Sequence, residues 1–135
     1  ILLEKFDIFP LELEKRQNVA NNYNKHLNQL NLGIKTPVLI KEATSSWAQY
    51  TIILPDEINR DKLQENLKLK NIPTAVYYPI PLNEHKPYEK YPISHEGLSN
   101  TIYLSKNVLS LPMHPYLSES DIILIVKSIA EAIKS

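Results

Sequence analysis

Two prolines, Pro79 and Pro81, stand just ahead of the residues best suited to hold a small polar ligand. They fall in residues 72–82, Ile-Pro-Thr-Ala-Val-Tyr-Tyr-Pro-Ile-Pro-Leu, and Asn83, Glu84 and His85 follow. A proline fixes its own φ and removes a backbone donor, so the chain leaves this stretch stiff and extended. Asn83 then offers an amide and His85 an imidazole, both able to hydrogen-bond sugar hydroxyls or phosphate. Tyr77 and Tyr78 precede the prolines. As neighbours in an extended segment they point to opposite faces, so one of them at most faces a ligand. Tyr77, Tyr78, Asn83 and His85 are therefore the candidate binding residues. The plainer reading makes the tyrosines strand packing, Asn83 a turn residue and His85 a solvated side chain.

Other chemistries find less support. The four histidines, at 26, 85, 95 and 114, show no i, i+4 pairing of the kind that closes a metal site. No Gly-x-Ser-x-Gly elbow is present to raise a serine nucleophile. Paired carboxylates such as Glu12 with Glu14, or Asp56 with Glu57, sit beside helix starts, where they stabilise caps and dipoles. Gly33 and Gly97 stand alone, so no glycine-rich phosphate cradle is possible.

The elements that position the candidate residues follow from apolar spacing and turn chemistry. Leu13, Ala20, Tyr23, Leu27 and Leu30 keep a helical period from Pro10 onward, with Gly33 as a stop. Residues 38–40 form a possible short strand, and residues 48–54, introduced by Trp47 and closed by Pro55, a second. Asn59 caps a helix over residues 60–70, with Leu63 and Leu67 at i, i+4 and Asn71 at its end. Residues 74–78 alternate as a strand, and residues 79–97 read as one long ordered loop anchored by Tyr88 and Tyr91. A short helix over 99–105, a strand over 108–111, and a capping box of Ser118 with Asp121 complete the chain. The box opens a terminal helix striped by Ile122, Ile125, Val126, Ile129 and Ile133. The natural packing is a two-layer α+β domain, a three- to four-stranded, mainly antiparallel sheet covered by helices.

Composition sets bounds. At 135 residues the chain fits a single domain, residues 1–135, able to bury a core. Fifteen charges of each sign, scattered along the chain, exclude a basic nucleic-acid footprint. The chain has no cysteine, which excludes disulfides and thiolate metal sites and fits a cytoplasmic location. Its longest wholly apolar run, residues 122–126, falls far short of the roughly 20 residues that cross a bilayer, so no membrane association is expected. The opening Ile-Leu-Leu-Glu-Lys-Phe reads as the last turns of an amphipathic helix whose beginning is missing, and the chain is expected to be a fragment.

Six stretches in order carry a resemblance. Residues 16–27, Ala48-Gln-Tyr-Thr-Ile, Arg60-Asp-Lys-Leu with Leu67, residues 72–82, Val108-Leu-Ser-Leu-Pro-Met-His-Pro-Tyr-Leu and Asp121-Ile resemble the carboxy-terminal domain of the DegT/DnrJ/StrS nucleotide-sugar aminotransferases. The resemblance covers essentially the whole chain and implies the small α+β domain of a fold-type-I aminotransferase. It implies pyridoxal 5'-phosphate in the full-length enzyme, bound by a lysine, an aspartate and phosphate-binding groups of a preceding large domain. No cofactor is expected in this chain alone. It also implies a nucleotide-sugar substrate, an amino donor such as glutamate, a homodimer, and a role in cell-surface polysaccharide or glycan biosynthesis. Many members carry His after the Pro-Leu of the exit loop and Gln two residues later, where this chain has Asn83 and His85. Asn at the first position resembles the branch acting on UDP-linked 3-keto sugars of the N-acetylglucosaminuronate type; His at the second departs from both patterns. The reading from a different class is a free-standing, non-enzymatic binding or regulatory module.

Overall fold

A computed structural model of the chain describes residues 2–134, the side chain of Leu2 excepted. The order is α1 (Leu2–Asn28), β1 (Tyr50–Ile53), α2 (Arg60–Leu69), a 3-10 turn (Leu82–Glu84), α3 (Ser99–Asn107), β2 (Val108–Leu111) and α4 (Glu119–Lys134). This is a small α+β domain. Helices α1 and α2 both pack on α4. Between them and the sheet lies one apolar core that includes Tyr23, Leu27, Tyr50, Ile52, Leu63, Leu67, Leu109, Ile122 and Ile129.

The sheet is narrower than the alternation implies. Strands β1 and β2 pair antiparallel with Tyr50 opposite Leu111 and Ile53 opposite Val108. Of the other two expected strands, 74–78 contributes one bridge, Ala75 opposite Ser110, and 38–40 none; the far side of β1 is met instead by Lys35, opposite Ile53. The register explains why. Hydrogen-bonded antiparallel pairs recur every second residue, so the next pair beyond Ala75 and Ser110 sets Pro73 against Pro112, neither with an N–H to give. Beside Lys35 and Ile53, Pro37 falls opposite Thr51 and Pro55 opposite Gly33. Prolines thus stop the Lys35 bridge from growing in either direction and the Ala75 bridge from growing toward Pro112; on its other side Val108, opposite Tyr77, gives its N–H to the Leu104 carbonyl. Residues 38–40 form no strand, and Val38 and Ile40 are exposed. Residues 74–78 touch the sheet through Ala75 alone, by N–H and C=O bonds of 3.0 and 2.8 Å to Ser110.

Helix α1 also departs from expectation. It runs unbroken through Pro10 instead of starting there. The proline deprives only the Phe6 carbonyl of its helical donor, and that turn is exposed, so water can replace the lost bond. Of the opening six residues, Ile1 lies outside those described. The remaining helices sit close to their sequence signals. Asn59 Oδ1 accepts from the Lys62 N–H at 2.9 Å. At the other end Asn71 takes φ 59° while the Ile72 and Asn71 N–H groups bond the Leu67 and Lys68 carbonyls, each at 3.0 Å. Ser118 and Asp121 form the capping box reciprocally, with N–H bonds of 3.2 and 3.3 Å.

An aromatic stack joins α1 to β1. Tyr23 and Tyr50 lie 4.7 Å apart, centroid to centroid, and Trp47 tilts against Tyr50 at 5.9 Å. The Tyr23 hydroxyl donates to the Pro112 carbonyl at 2.9 Å and that of Tyr50 to Asn24 Oδ1 at 2.5 Å. Trp47 is 4% exposed and sits at φ 46°. Three bonds hold it there: its N–H to Ser45 Oγ at 3.1 Å, its carbonyl from Arg16 at 3.1 Å, and its indole N–H to Gln17 Oε1 at 2.9 Å.

Candidate functional site

The exit loop begins where the Ala75 bridge releases the chain. Pro81 is buried and fixes the start of the 3-10 turn. Its carbonyl accepts from the Glu84 N–H at 3.0 Å, and the Leu82 carbonyl from the His85 N–H at 3.2 Å. The His85 carbonyl then takes two donors, the N–H groups of Tyr88 at 2.8 Å and Glu89 at 3.1 Å. Tyr88 and Tyr91 approach at 6.4 Å between ring centres, and the Lys90 ammonium lies 5.7 Å from the Tyr91 ring. Local backbone bonds therefore order a loop that carries almost no buried side chain.

Asn83 and His85 stand together at this turn, Asn83 half-buried and His85 exposed. Tyr77 and Tyr78 precede it at 53% and 80% exposure, so neither is strand packing. Among the described residues, none of the four side chains makes a hydrogen bond, while both ends of the turn are tied down. That arrangement presents polar groups on a fixed backbone. Two clefts lie elsewhere, on α1. One, of about 330 Å³, is lined by Lys15, Asn18, Val19, Asn22 and residues 115–117; the other, of about 350 Å³, by Lys5, Phe6, Phe9 and Glu12.

The first of these clefts holds polar residues to which the sequence reading gave no site role. The Tyr116 hydroxyl donates to Glu12 Oε1 at 2.8 Å, and the Lys15 ammonium sits 4.9 Å from the Tyr116 ring centre. The Glu12 bond, together with its negative charge, raises the Tyr116 phenol above its ordinary range. Lys15, Asn18 and Asn22 sit three and four residues apart, a helical-face signal legible in sequence, but nothing local links them to Tyr116.

Pyridoxal phosphate chemistry needs a lysine amine held in a site that lowers its charge, beside a phosphate cradle. Every described lysine is exposed except Lys15, and the Lys15 ammonium lies against the Tyr116 ring with no phosphate cradle beside it. The lysines of this chain do not fit that cofactor. Among the described residues no cluster of three histidines or carboxylates could hold a metal ion, and no helix is long and apolar enough to cross a membrane.

Comparison with known proteins gives a consistent picture. The family model described as DegT/DnrJ/EryC1/StrS aminotransferase matches residues 1–130. The UDP-2-acetamido-2-deoxy-3-oxo-D-glucuronate aminotransferase of Pseudomonas aeruginosa is 40% identical over 126 residues, 90% of this chain and 32% of that protein. The UDP-N-acetyl-3-dehydro-alpha-D-glucosamine 3-aminotransferase of Acidithiobacillus ferrooxidans is 30% identical, across 90% of this chain and 31% of its own length. The crystal structure of a DegT DnrJ EryC1 StrS aminotransferase from Brucella abortus superposes with a TM-score of 0.88 at 37% identity, covering all of this chain and 35% of that one. The chain thus spans about a third of the length of the relatives it matches.

Proposed function

The chain belongs to the DegT/DnrJ/EryC1/StrS aminotransferase family, and we propose that it is the carboxy-terminal domain of a longer enzyme that aminates a keto carbon of a nucleotide-linked sugar. The observation that carries the reading is the 40% identity, along 90% of the chain, to an aminotransferase named for a UDP-linked 3-oxo-glucuronate. In this reading pyridoxal 5'-phosphate, held by the part of the enzyme outside this chain, supplies the electron sink for transfer, and glutamate is the amino donor. The enzyme works as a cytoplasmic homodimer in polysaccharide or glycan biosynthesis.

The role of this chain is to hold substrate. Asn83 and His85 contact the nucleotide sugar from the fixed turn after Pro81, with Tyr77 or Tyr78 beside them. What supports this is the exposure of His85, Tyr77 and Tyr78 and the half-exposed Asn83 on an ordered backbone, and their lack of side-chain hydrogen bonds among the described residues. Steady-state kinetics of the full-length enzyme tests it. Asn83→Ala and His85→Ala should each lower kcat/KM for a UDP-3-keto sugar by about ten- to a hundredfold, because a lost hydrogen bond leaves a polar partner unpaired. The visible absorption of the bound cofactor should stay the same. Unchanged efficiency in both variants would remove the loop from the substrate site, and a full-length protein that transfers no amino group would favour a binding module.

A further inference from the structure

Along the middle of α1 the carboxamides divide into two groups. Gln17 accepts the Trp47 indole N–H at 2.9 Å and donates to Asn21 at 2.9 Å, and Asn24 accepts from the Tyr50 hydroxyl. Asn18, exposed, and Asn22, half-buried, lie one turn apart and make no hydrogen bond to any described residue. Both line the cleft of about 330 Å³ between α1 and residues 115–117. Its apolar floor comes from Val19, 4% exposed, and the buried Pro115. That volume lies at the small end of ligand-binding clefts, room for a single ring.

We propose that this cleft binds a neutral pyranose ring, its C–H face against Tyr116 and its hydroxyls on Asn18, Asn22 and Lys15. Tyr116 is held as a plate: its N–H donates to His114 Nδ1 at 3.2 Å and its hydroxyl to Glu12 Oε1 at 2.8 Å, yet it stays 62% exposed. An aromatic ring fixed in this way receives an apolar face at little ordering cost. The two carboxamides each carry a donor and an acceptor, as a sugar hydroxyl does. An oxyanion only accepts and would leave both amide oxygens unpaired. Charge selects in the same direction. The Lys15 ammonium, 4.9 Å from the Tyr116 ring centre, is offset by the Glu12 carboxylate on that residue's hydroxyl, so the cleft carries little net field for an anion. Lys15 forms no ion pair with a described carboxylate, which leaves its donors to hydroxyls. The proposal does not rest on the aminotransferase reading.

The 135-residue chain closes its core with its own residues and can be assayed alone. Saturation-transfer NMR, which tolerates self-association, is run with methyl α-D-glucopyranoside, methyl N-acetyl-α-D-glucosaminide, UDP-N-acetylglucosamine and uridine monophosphate. Both glycosides should take up saturation at their ring protons with a measurable Kd. Asn22→Ala and Tyr116→Ala should each weaken that binding by about three- to tenfold, whereas Asn28→Ala, on the same helix outside the cleft, leaves it unchanged. UDP-N-acetylglucosamine binding within about threefold of its glycoside supports recognition of the ring alone. Three results overturn the proposal: no saturable transfer to either glycoside, binding that survives both cleft substitutions, or uridine monophosphate bound more tightly than the glycosides and displaced by inorganic phosphate. Neither glycoside carries a nucleotide or a keto group, so these outcomes are independent of whether the longer protein transfers an amino group.

Discussion

Trp47 shows how much one residue can hold. A bulky side chain at positive φ is strained, and the conformation persists only where its surroundings over-determine it. Here the three bonds to Ser45, Arg16 and Gln17, with the Tyr50 ring against the indole, tie the approach of β1 to α1. Trp47→Ala should cost about 3–5 kcal/mol in urea unfolding, whereas Trp47→Phe, which keeps a ring but frees Gln17, should cost less. Sequence located Trp47 as the introduction to a strand. Its backbone conformation could not be read, since only the distant α1 partners make it tolerable. The stacked tyrosines lead to a pH dependence. Burial raises both phenols well above their ordinary range, reinforced by the charge of Asp121 at Tyr23 and by Tyr23 itself at Tyr50. In the unfolded chain both ionise near about pH 10, so there the unfolded state sheds protons that the folded state keeps. Stability from this pair is complete below that pH and declines as pH rises above it. Thermal midpoints followed to about pH 11 should fall, and the fall should flatten in Tyr23→Phe; a flat profile in the wild type contradicts the argument.

Among the elements, α2 was the most legible, because every signal that defines it is local. Asn59 caps it, Leu63 and Leu67 bury one face, and Asn71 takes the left-handed conformation that lets Ile72 close the last turn. Asn59→Ala should therefore lower stability by about 1 kcal/mol, and Asn59→Ser by much less, as read from denaturant midpoints. The α4 capping box and apolar stripe were legible for the same reason. The segment 74–78 was not, although its alternation is real. A strand exists only if its partner can answer each donor, and Pro73 meets Pro112 across the register, a pairing no local window can reveal. In the loop after it, the long ordered character was readable from its prolines and tyrosines. The 3-10 turn that carries Asn83 and ends at His85 starts from Pro81, whose burial is a tertiary matter.

At the scale of the whole molecule, the first turns of α1 stand out. Leu3 is 81% exposed and Phe6 66%, with Phe9 and Leu11 about half exposed, beside a cleft walled by Lys5 and Glu12. An apolar face of this kind marks a surface that something covers. In the proposed enzyme its cover is the rest of the protein. The isolated chain should accordingly self-associate in sedimentation, and Phe6→Lys with Phe9→Lys should shift it toward monomer without lowering its thermal midpoint. A clean monomer at high concentration in the wild type counts against this. The proline-flanked bridges, meanwhile, bear on how the chain behaves in a crowded cell. Lys35 and Ala75 mark the two outer edges of the sheet, and an intruding strand seeking to dock there finds a lysine followed by Pro37 on one side and Pro73 and Pro79 along the other. In ladder register for only one residue each, those rims are too short a template for a foreign backbone to zip onto. The residues that keep the ladder short also guard it against growth into fibres.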